Sequence, residues 1–235
     1  MRPRASHPNP KLRHWNPGVD VQPSSLWYRS IRCMLQVTIC AWCKVRVFNR
    51  HYEPSDGGVL YISNHQSFLD PILMSFALRR PMNYMARDSL FHFPVFKQLI
   101  RSVNAFPVRR GTADLAALKE ALRRIRDNGQ VVVFAEGTRS TDGRIGPFLP
   151  GVAMLAQRAA KWTVPVLIDG AFEVWPRTQA IPYPGNIVVQ YAPPIAREQA
   201  SQMSPQEFVN RVRATLIDTQ TDLRQRLGRP KLHYD

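Results

Sequence analysis

The sequence has few cysteines, few acidic residues and no long apolar run. Its cysteines, Cys33, Cys40 and Cys43, are odd in number and lie close together, so we expect a reducing compartment and no disulfide framework. No stretch reaches the roughly 18 apolar residues of a spanning helix, and no apolar segment directly follows the first basic residues as in a secretory signal. Because 32 Lys and Arg face only 17 Asp and Glu, the partner should be anionic: nucleic acid, a membrane surface or a phosphorylated substrate.

The chain is long enough for one large α/β domain. Residues 1–23, which are rich in proline and basic residues, are expected to form a flexible basic tail. Residues 24–50 predict an amphipathic helix that begins at Ser24 or Ser25 and continues to about Phe48. The polar, solvent-facing side of this helix would carry basic and amide residues, among them Arg32 and Gln36. The helix would either lie in a membrane interface, where the aromatic run at Phe91, Phe93 and Phe96 could add a second contact, or pack against the core.

Strand and helix patterns alternate over residues 51–235. Apolar strands are predicted at 59–63, 131–134 and 164–168, with helices between and after them. These helices include one over 71–78, one that Thr112 would cap and one that begins with a capping box at Ser204-Pro205-Gln206-Glu207. This alternation predicts an α/β fold, a single domain with a central, mostly parallel sheet flanked by helices, preceded by the N-terminal amphipathic helix.

Residues 64–70 read NHQSFLD and contain a candidate histidine–aspartate pair. On one continuous helix, His65 and Asp70 would point about 140° apart and would not meet. They can meet if Ser67 caps a helix, because Asp70 then lies in its first turn and reaches back to the imidazole. The second ring nitrogen would remain free to act as a general base. The alternative is a structural cap next to an ordinary loop histidine.

A second polar stretch, FAEGTRS at residues 134–140, follows a predicted buried strand. It places Glu136, Gly137, Thr138 and Arg139 at a strand end, where α/β sheets bind ligands. Arg139 and backbone N–H groups near Gly137 could hold a phosphate. A simple polar turn is the alternative.

A third stretch, AFPVRRG at residues 105–111, contains Arg109 and Arg110 before a glycine and a predicted helix. Two guanidinium groups there could bind an anion. An exposed basic loop is the alternative in so basic a chain.

With Val164-Pro165-Val166, these stretches together resemble the glycerolipid acyltransferase family, best known from the 1-acylglycerol-3-phosphate acyltransferases. The family has, in this order, an Asn-His-x-x-x-x-Asp block, an arginine near a glycine, a Phe-x-Glu-Gly-Thr-Arg block and a Val-Pro-Val-type strand. The resemblance covers roughly residues 58–175. The expected acyltransferase domain is 51–235, which contains this range and the alternating strands and helices around it. Ala135 and Asn104 depart from the family pattern, at positions without a catalytic role.

The resemblance assigns roles to the residues of these stretches. It implies catalytic roles for His65 and Asp70, and supporting roles for Asn64 and Ser67. The residues expected to hold the phosphate-bearing end of the acceptor are Arg109, Arg110, Glu136, Gly137, Thr138 and Arg139.

The resemblance implies transfer of an acyl group from acyl-CoA or acyl-carrier protein to a lysophospholipid. The expected acceptor is 1-acylglycerol 3-phosphate, which would give phosphatidic acid. No cofactor and no metal are expected, because a thioester is already activated. The protein would work with membrane lipids on the cytoplasmic face of a membrane, as a peripheral or monotopic enzyme.

Three alternatives remain open. The acceptor could be another lysophospholipid or a lyso-amino-lipid. A nucleic-acid-binding protein fits the charge but leaves the NHQSFLD and FAEGTRS stretches unexplained. A serine hydrolase would use Ser67 as nucleophile, but the Gly-x-Ser-x-Gly elbow is absent around it.

Overall fold

The computed structural model describes residues 25–76, 78–109 and 114–234. The tail expected over residues 1–23 and the cap expected at Thr112 lie outside these residues. Asp114 caps the helix in question, because its side chain accepts hydrogen bonds from the N–H groups of Ala116 and Ala117, each at 3.1 Å.

The described residues contain a single mixed sheet. Its strands are β1 (Lys44–Phe48), β2 (Val59–Ser63), β3 (Met82–Arg87), β4 (Ala105–Val108), β5 (Gln130–Phe134), β6 (Trp162–Asp169), β7 (Asn186–Tyr191) and β8 (Ile195–Ala196). Their order is β1-β7-β6-β2-β5-β3-β4, with β8 on β6. Only the β6–β7 and β6–β8 pairs of this sheet are antiparallel, so the predicted mostly parallel sheet is confirmed.

Helices cover both faces of the sheet. They are α1 (Leu26–Trp42), α2 (Asp70–Met74), α3 (Pro94–Ser102), α4 (Leu115–Arg126), α5 (Gly151–Arg158), α6 (Ala171–Val174), α7 (Arg197–Ser201) and α8 (Pro205–Arg226), with 3-10 turns at Arg50–Tyr52 and Asp88–His92. The α8 helix begins with the predicted capping box, in which Ser204 and Glu207 satisfy each other's N–H groups.

Successive residues of β2 are buried in two different cores. Leu60 and Ile62 pack into the core that includes residues of α4, α5 and α8. Val59 and Tyr61 pack into the core that includes residues of α1, α2 and α6. A strand covered on both faces is a continuous apolar run, which explains the unbroken pattern of residues 59–63.

The register of the central strands brings the polar stretches to one edge of the sheet. Ser63, the last residue of β2, pairs with Phe134, the last residue of β5. Both strands run in the same direction, so the residues that follow them leave the sheet together. The NHQSFLD and FAEGTRS stretches therefore meet at the carboxyl edge, where ligands bind in open α/β sheets.

The helix predicted over residues 24–50 is wrong beyond Trp42. The chain becomes extended at Cys43, and Lys44–Phe48 forms strand β1, paired with β7. Apolar Val45 and Val47 alternate there with basic residues, a period of two that suits a half-buried strand better than a helix. The sheet thus begins before residue 51, which was the expected start of the domain.

The α1 helix buries part of its surface and exposes a second apolar face. Ser25 caps it, as one of the two expected residues, by accepting the N–H of Tyr28 at 3.1 Å. Arg32 donates to the carbonyl of Leu78 at 2.8 Å, so a residue expected on the solvent side faces the protein. The exposed apolar side chains of α1 are Leu26, Trp27, Met34, Val37 and Trp42.

Candidate active site

His65 and Asp70 form a buried hydrogen-bonded pair. Nδ1 of His65 lies 2.7 Å from Oδ2 of Asp70. Asp70 is completely buried and His65 is only 4% exposed. Oδ2 also accepts the backbone N–H groups of Gln66 and Ser67, at 2.6 and 2.7 Å, and these bonds hold the loop around the carboxylate. The predicted contact between the two side chains is confirmed.

The start of the short helix differs from the expectation in one detail. Asp70 is the first residue of α2, but Leu69, not Ser67, occupies the cap position. The Ser67 hydroxyl accepts the N–H of Leu69 at 3.2 Å and donates to the carbonyl of Trp175 at 2.9 Å. Ser67 therefore ties the loop to the chain beyond β6, and α2 ends at Met74 instead of Leu78.

Asn64 fixes the chain just before the histidine. Its side-chain amide donates to the carbonyl of Ile168 at 2.8 Å and accepts the N–H of Ile168 at 2.9 Å. The side chain thereby imitates one more residue of the sheet ladder between β2 and β6. A supporting role for Asn64 follows from these two bonds.

The Glu136 carboxylate holds the backbone of the histidine. Oε1 accepts the N–H of His65 at 2.8 Å, and Oε2 accepts the N–H of Gly146 at 3.0 Å. Burial raises the pKa of this carboxyl to about 7, against the lowering effect of these two N–H donors. Because each oxygen accepts a backbone N–H group and the carboxylate is negative, we assign Glu136 to positioning rather than to phosphate binding.

The rest of the Glu-Gly-Thr-Arg segment turns back over the loop. Gly137 has a φ of +70°, and an added Cβ would lie 2.9 Å from Cδ1 of Leu149. Thr138 is exposed. The guanidinium carbon of Arg139 lies 3.5 Å from the ring centroid of Phe68, inside the NHQSFLD stretch. The structure therefore brings Arg139 next to the histidine loop.

Of the two adjacent arginines, Arg109 belongs to the described residues. Arg109 is exposed, and its backbone N–H donates to Asp114 at 2.9 Å. Arg110 lies outside the described residues. Arg109 is also one of the residues that line the cavity next to the site.

An apolar cavity of about 260 Å³ lies next to His65, and the ring of Phe134 separates the two. Phe134 lines this cavity and stacks on the ring of His65, with centroids 4.2 Å apart and an interplanar angle of 18°. The other apolar residues that line it are Met85, Val108, Leu115, Leu118, Val133, Leu149, Val152 and Leu155. A flexible hydrocarbon chain suits such a lining.

Two further site residues were missed by the sequence reasoning. Phe134 was assigned to a strand, although its position at the strand end beside a polar stretch could have indicated contact with the histidine. Gln66 is fully buried, and its amide donates to the carbonyl of Gly143 at 2.8 Å. Its place directly after His65 was the available signal.

Fold and site together define an α/β protein with a buried, hydrogen-bonded histidine–aspartate pair next to an apolar cavity. The family model described as Acyltransferase matches residues 44–169, which is more than half of the 235 residues. The chain therefore belongs to the acyltransferase family.

Named relatives share part of their length with this chain. A 1-acyl-sn-glycerol-3-phosphate acyltransferase of Cocos nucifera is 27% identical over 169 residues, covering 71% of this chain and 55% of the relative. A chloroplastic enzyme of the same name from Brassica napus is 32% identical over 124 residues, covering 52% of this chain and 36% of the relative. The chain thus spans about half or less of the length of these two plant proteins.

A solved structure shares the fold. The 1-acyl-sn-glycerophosphate acyltransferase PlsC of Thermotoga maritima superposes with a TM-score of 0.68 at 23% identity, covering 81% of this chain and 79% of that chain. At this identity the likeness establishes the fold alone, and it agrees with the predicted α/β domain.

Proposed function

We propose that the protein transfers a fatty acyl group from a thioester, acyl-CoA or acyl-carrier protein, to the free hydroxyl of 1-acylglycerol 3-phosphate, giving phosphatidic acid. The observation that carries the proposal is the Asp70-bound imidazole of His65 beside the apolar cavity walled by Phe134. The names of the plant relatives supply the acceptor.

In the proposed reaction, His65 acts as the general base. Asp70 accepts a hydrogen bond from the Nδ1–H group of His65, which leaves Nε2 as the basic nitrogen. The described residues place no hydrogen-bond partner on Nε2. Nε2 takes the proton of the acceptor hydroxyl while the hydroxyl oxygen attacks the carbonyl carbon of the thioester. The new C–O ester bond forms, the C–S bond breaks, and the imidazolium returns the proton to the leaving thiolate.

The proposed acceptor carries a phosphate, for which arginine is the suited partner. Arg139 can grip a phosphate through two parallel hydrogen bonds beside the histidine loop, and Arg109 adds charge at the cavity. Arg110 belongs to the same proposal by sequence alone. Gly137 and Thr138 contribute the turn that presents Arg139.

The decisive experiment offers the purified protein labelled acyl-CoA and a panel of lysophospholipids. We expect labelled phosphatidic acid and free thiol, at a rate that falls by about a hundredfold or more in His65→Ala. The exposed His51→Ala is the matched control and should keep the rate. Preference for another lyso-lipid would replace the acceptor, and release of free fatty acid without acceptor would indicate a hydrolase instead.

We also propose that the protein works as a peripheral or monotopic enzyme on the cytoplasmic face of a membrane. None of the helices in the described parts of the chain is long and apolar enough to cross a bilayer. The exposed apolar face of α1 and the exposed Phe93, Val95, Phe96 and Leu99 near α3 supply hydrocarbon for interfacial contact. Phe91, which was expected to join them, is buried and belongs to the protein interior.

A vesicle-binding assay tests the membrane proposal. Met34 and Val37 are 60% and 63% exposed, so the double variant Met34→Glu/Val37→Glu should weaken binding to anionic vesicles without unfolding the protein. Thr221→Glu/Gln225→Glu adds the same two charges to an exposed stretch of α8 and should bind more tightly than the α1 variant. Equal binding by both variants, or complete release of the wild type by salt alone, would contradict the proposal.

A further inference from the structure

The C-terminal helix and the residues after it hold the loop next to Glu136. Arg213 of α8 donates from Nε to the carbonyl of Gly146 at 2.8 Å and from Nη2 to the carbonyl of Ile145 at 2.9 Å. The Tyr234 hydroxyl accepts the N–H of Ile145 at 3.1 Å. Arg213 and Tyr234 both lie beyond residues 44–169, the range that matches the family.

This loop supplies one of the two backbone N–H groups that the Glu136 carboxylate accepts. Gly146 accepts from Arg213 through its carbonyl and donates to Oε2 of Glu136 through its N–H. Oε1 of Glu136 accepts the N–H of His65. An unbroken sequence of bonds therefore runs from α8 through the loop and Glu136 to the backbone of the catalytic histidine.

Tyr234 is itself fixed by a buried network. Its hydroxyl donates to Oε1 of Gln220, and the amide of Gln220 donates to Asp169 at 2.9 Å. Asp169, at the end of β6, is fully buried and also accepts a bond from Arg224 at 2.9 Å. The residues after α8 are thus tied to the carboxyl edge of the sheet rather than lying loosely on the surface.

Charge links the same residues. The positive charge of Arg213 lowers the pKa of Glu136, whereas burial and the negative charge of Asp70 raise it. The raised pKa of Tyr234, which comes first from burial, includes a contribution from Glu136. Among the described residues, the charged groups that contribute to the pKa of Glu136 are Asp70 and Arg213, Glu136 contributes to that of Tyr234, and the titratable imidazole of His65 belongs to the residue whose N–H Glu136 accepts.

We propose that Arg213 and Tyr234 are positioning residues for His65. They hold Gly146 where its N–H meets Glu136, and Glu136 then holds the backbone of His65 beside Asp70. Neither residue touches a reacting atom. The inference rests on the acyl-transfer function proposed above and extends its machinery to the C-terminal part of the chain.

Substitutions of Arg213 separate charge from geometry. Arg213→Gln should lower kcat about tenfold, which is the cost of losing the charged hydrogen bond to the carbonyl of Gly146. Both KM values should stay within about twofold of wild type. The acid limb of the pH profile should move to higher pH, because the carboxylate without its cation is protonated more readily. Arg213→Lys should keep the acid limb in place and give an intermediate kcat. The exposed Arg211→Gln, on the same helix, is the matched control.

Tyr234→Phe removes a single hydroxyl and carries the test if Arg213→Gln does not fold. It should lower kcat about threefold at unchanged KM, the effect of one weak neutral hydrogen bond. The inference would be overturned if Arg213→Gln and Tyr234→Phe had the same kcat and the same acid limb of the pH profile as Arg211→Gln, whatever their melting temperatures.

A readout independent of activity separates this inference from the proposed function. The His65 ring protons, assigned by comparison with His65→Ala, should shift in the NMR spectrum of Arg213→Gln and stay in place in Arg211→Gln. An inactive wild type with this spectral response would overturn the proposed function and support the positioning role. An active wild type without the response would overturn the positioning role alone.

Discussion

Asp70→Asn tests the histidine–aspartate pair with the smallest change of shape. Oδ2 of Asp70 accepts three N–H donors, from His65, Gln66 and Ser67. Oδ1 is buried with no hydrogen-bond partner among the described residues. The amide of asparagine will therefore place its oxygen at Oδ2 and its nitrogen at Oδ1, which keeps the geometry and removes the charge.

The lost charge sets the size of the effect on turnover. Opposite charges about 4 Å apart attract by about 4 kcal/mol at the effective dielectric constant of ~20 that suits protein sites. In the proposed reaction His65 becomes positively charged as it takes the proton of the acceptor hydroxyl, so this attraction would stabilise the transition state. At 1.36 kcal/mol per decade, its loss corresponds to a fall in kcat of roughly 10³-fold.

Asp70→Asn should also lower the stability of the fold. Replacing a charged acceptor by a neutral one weakens each of three bonds by about 0.5–1 kcal/mol, and the new buried N–H groups add a cost of ~1–3 kcal/mol. The free energy of unfolding, measured with urea, should therefore fall by about 2.5–6 kcal/mol. Asp218→Asn, at an exposed position of α8, should change neither stability nor rate.

A double variant gives the refuting result. Because Asp70 acts through the imidazole, His65→Ala/Asp70→Asn should be no slower in labelled acyl transfer than His65→Ala alone. A double variant slowed by the product of the two single effects would show that Asp70 acts elsewhere. A folded Asp70→Asn protein with the wild-type rate would show that the carboxylate is only structural.

Three further outcomes follow, two from the site and one from the packing just before β2. The rate should fall as the pH falls below about 7, because burial raises the pKa of Glu136 to about 7 and the carboxylate must be deprotonated to accept its two N–H groups. Stability should not fall with it through Glu136, because its raised pKa favours the protonated folded state, and a rate that stays level down to about pH 5 would contradict the role of Glu136. Arg139→Lys should raise the acceptor KM more than the donor KM, and a rise in donor KM alone would move Arg139 to the donor site. Gly58→Ala should destabilise the fold by about 3 kcal/mol or more, because its Cβ would overlap a carbonyl of α4, whereas Gly151→Ala, with no atom within 4 Å, should not.

The parts of the site that could be predicted are those encoded within a few residues. The meeting of His65 and Asp70 follows from helical geometry, because a pair five apart can touch only across a helix start. The edge location follows from two apolar runs, 59–63 and 131–134, that are each followed by polar residues. Both the strand ends and the contact are confirmed, while the catalytic roles remain predictions.

The N-terminal helix shows where periodicity alone fails. Arg32 and Gln36 are polar and are expected on the solvent side, but Gln36 donates to carbonyl groups just after the C-terminal end of α2 and Arg32 donates to that of Leu78, further along the same segment. Helix ends leave carbonyls without partners, and long polar side chains of a neighbouring helix can satisfy them. The hydrophobic pattern of α1 gives no sign of those carbonyls, because they belong to another part of the chain.

Glu136 shows a different limit of sequence reasoning. A carboxylate beside Gly137 and Arg139 is compatible with a binding turn, and its local pattern does not reveal which groups meet it. Its partners come from two distant segments, the N–H of His65 and the N–H of Gly146, and α8 completes the arrangement through Arg213. A negative group surrounded by backbone donors orients its neighbours, and a phosphate beside it would be repelled. In the proposed reaction the Glu-Gly-Thr-Arg segment therefore divides between two tasks: its acid holds the backbone of His65, and its arginine is the group suited to bind the anionic acceptor.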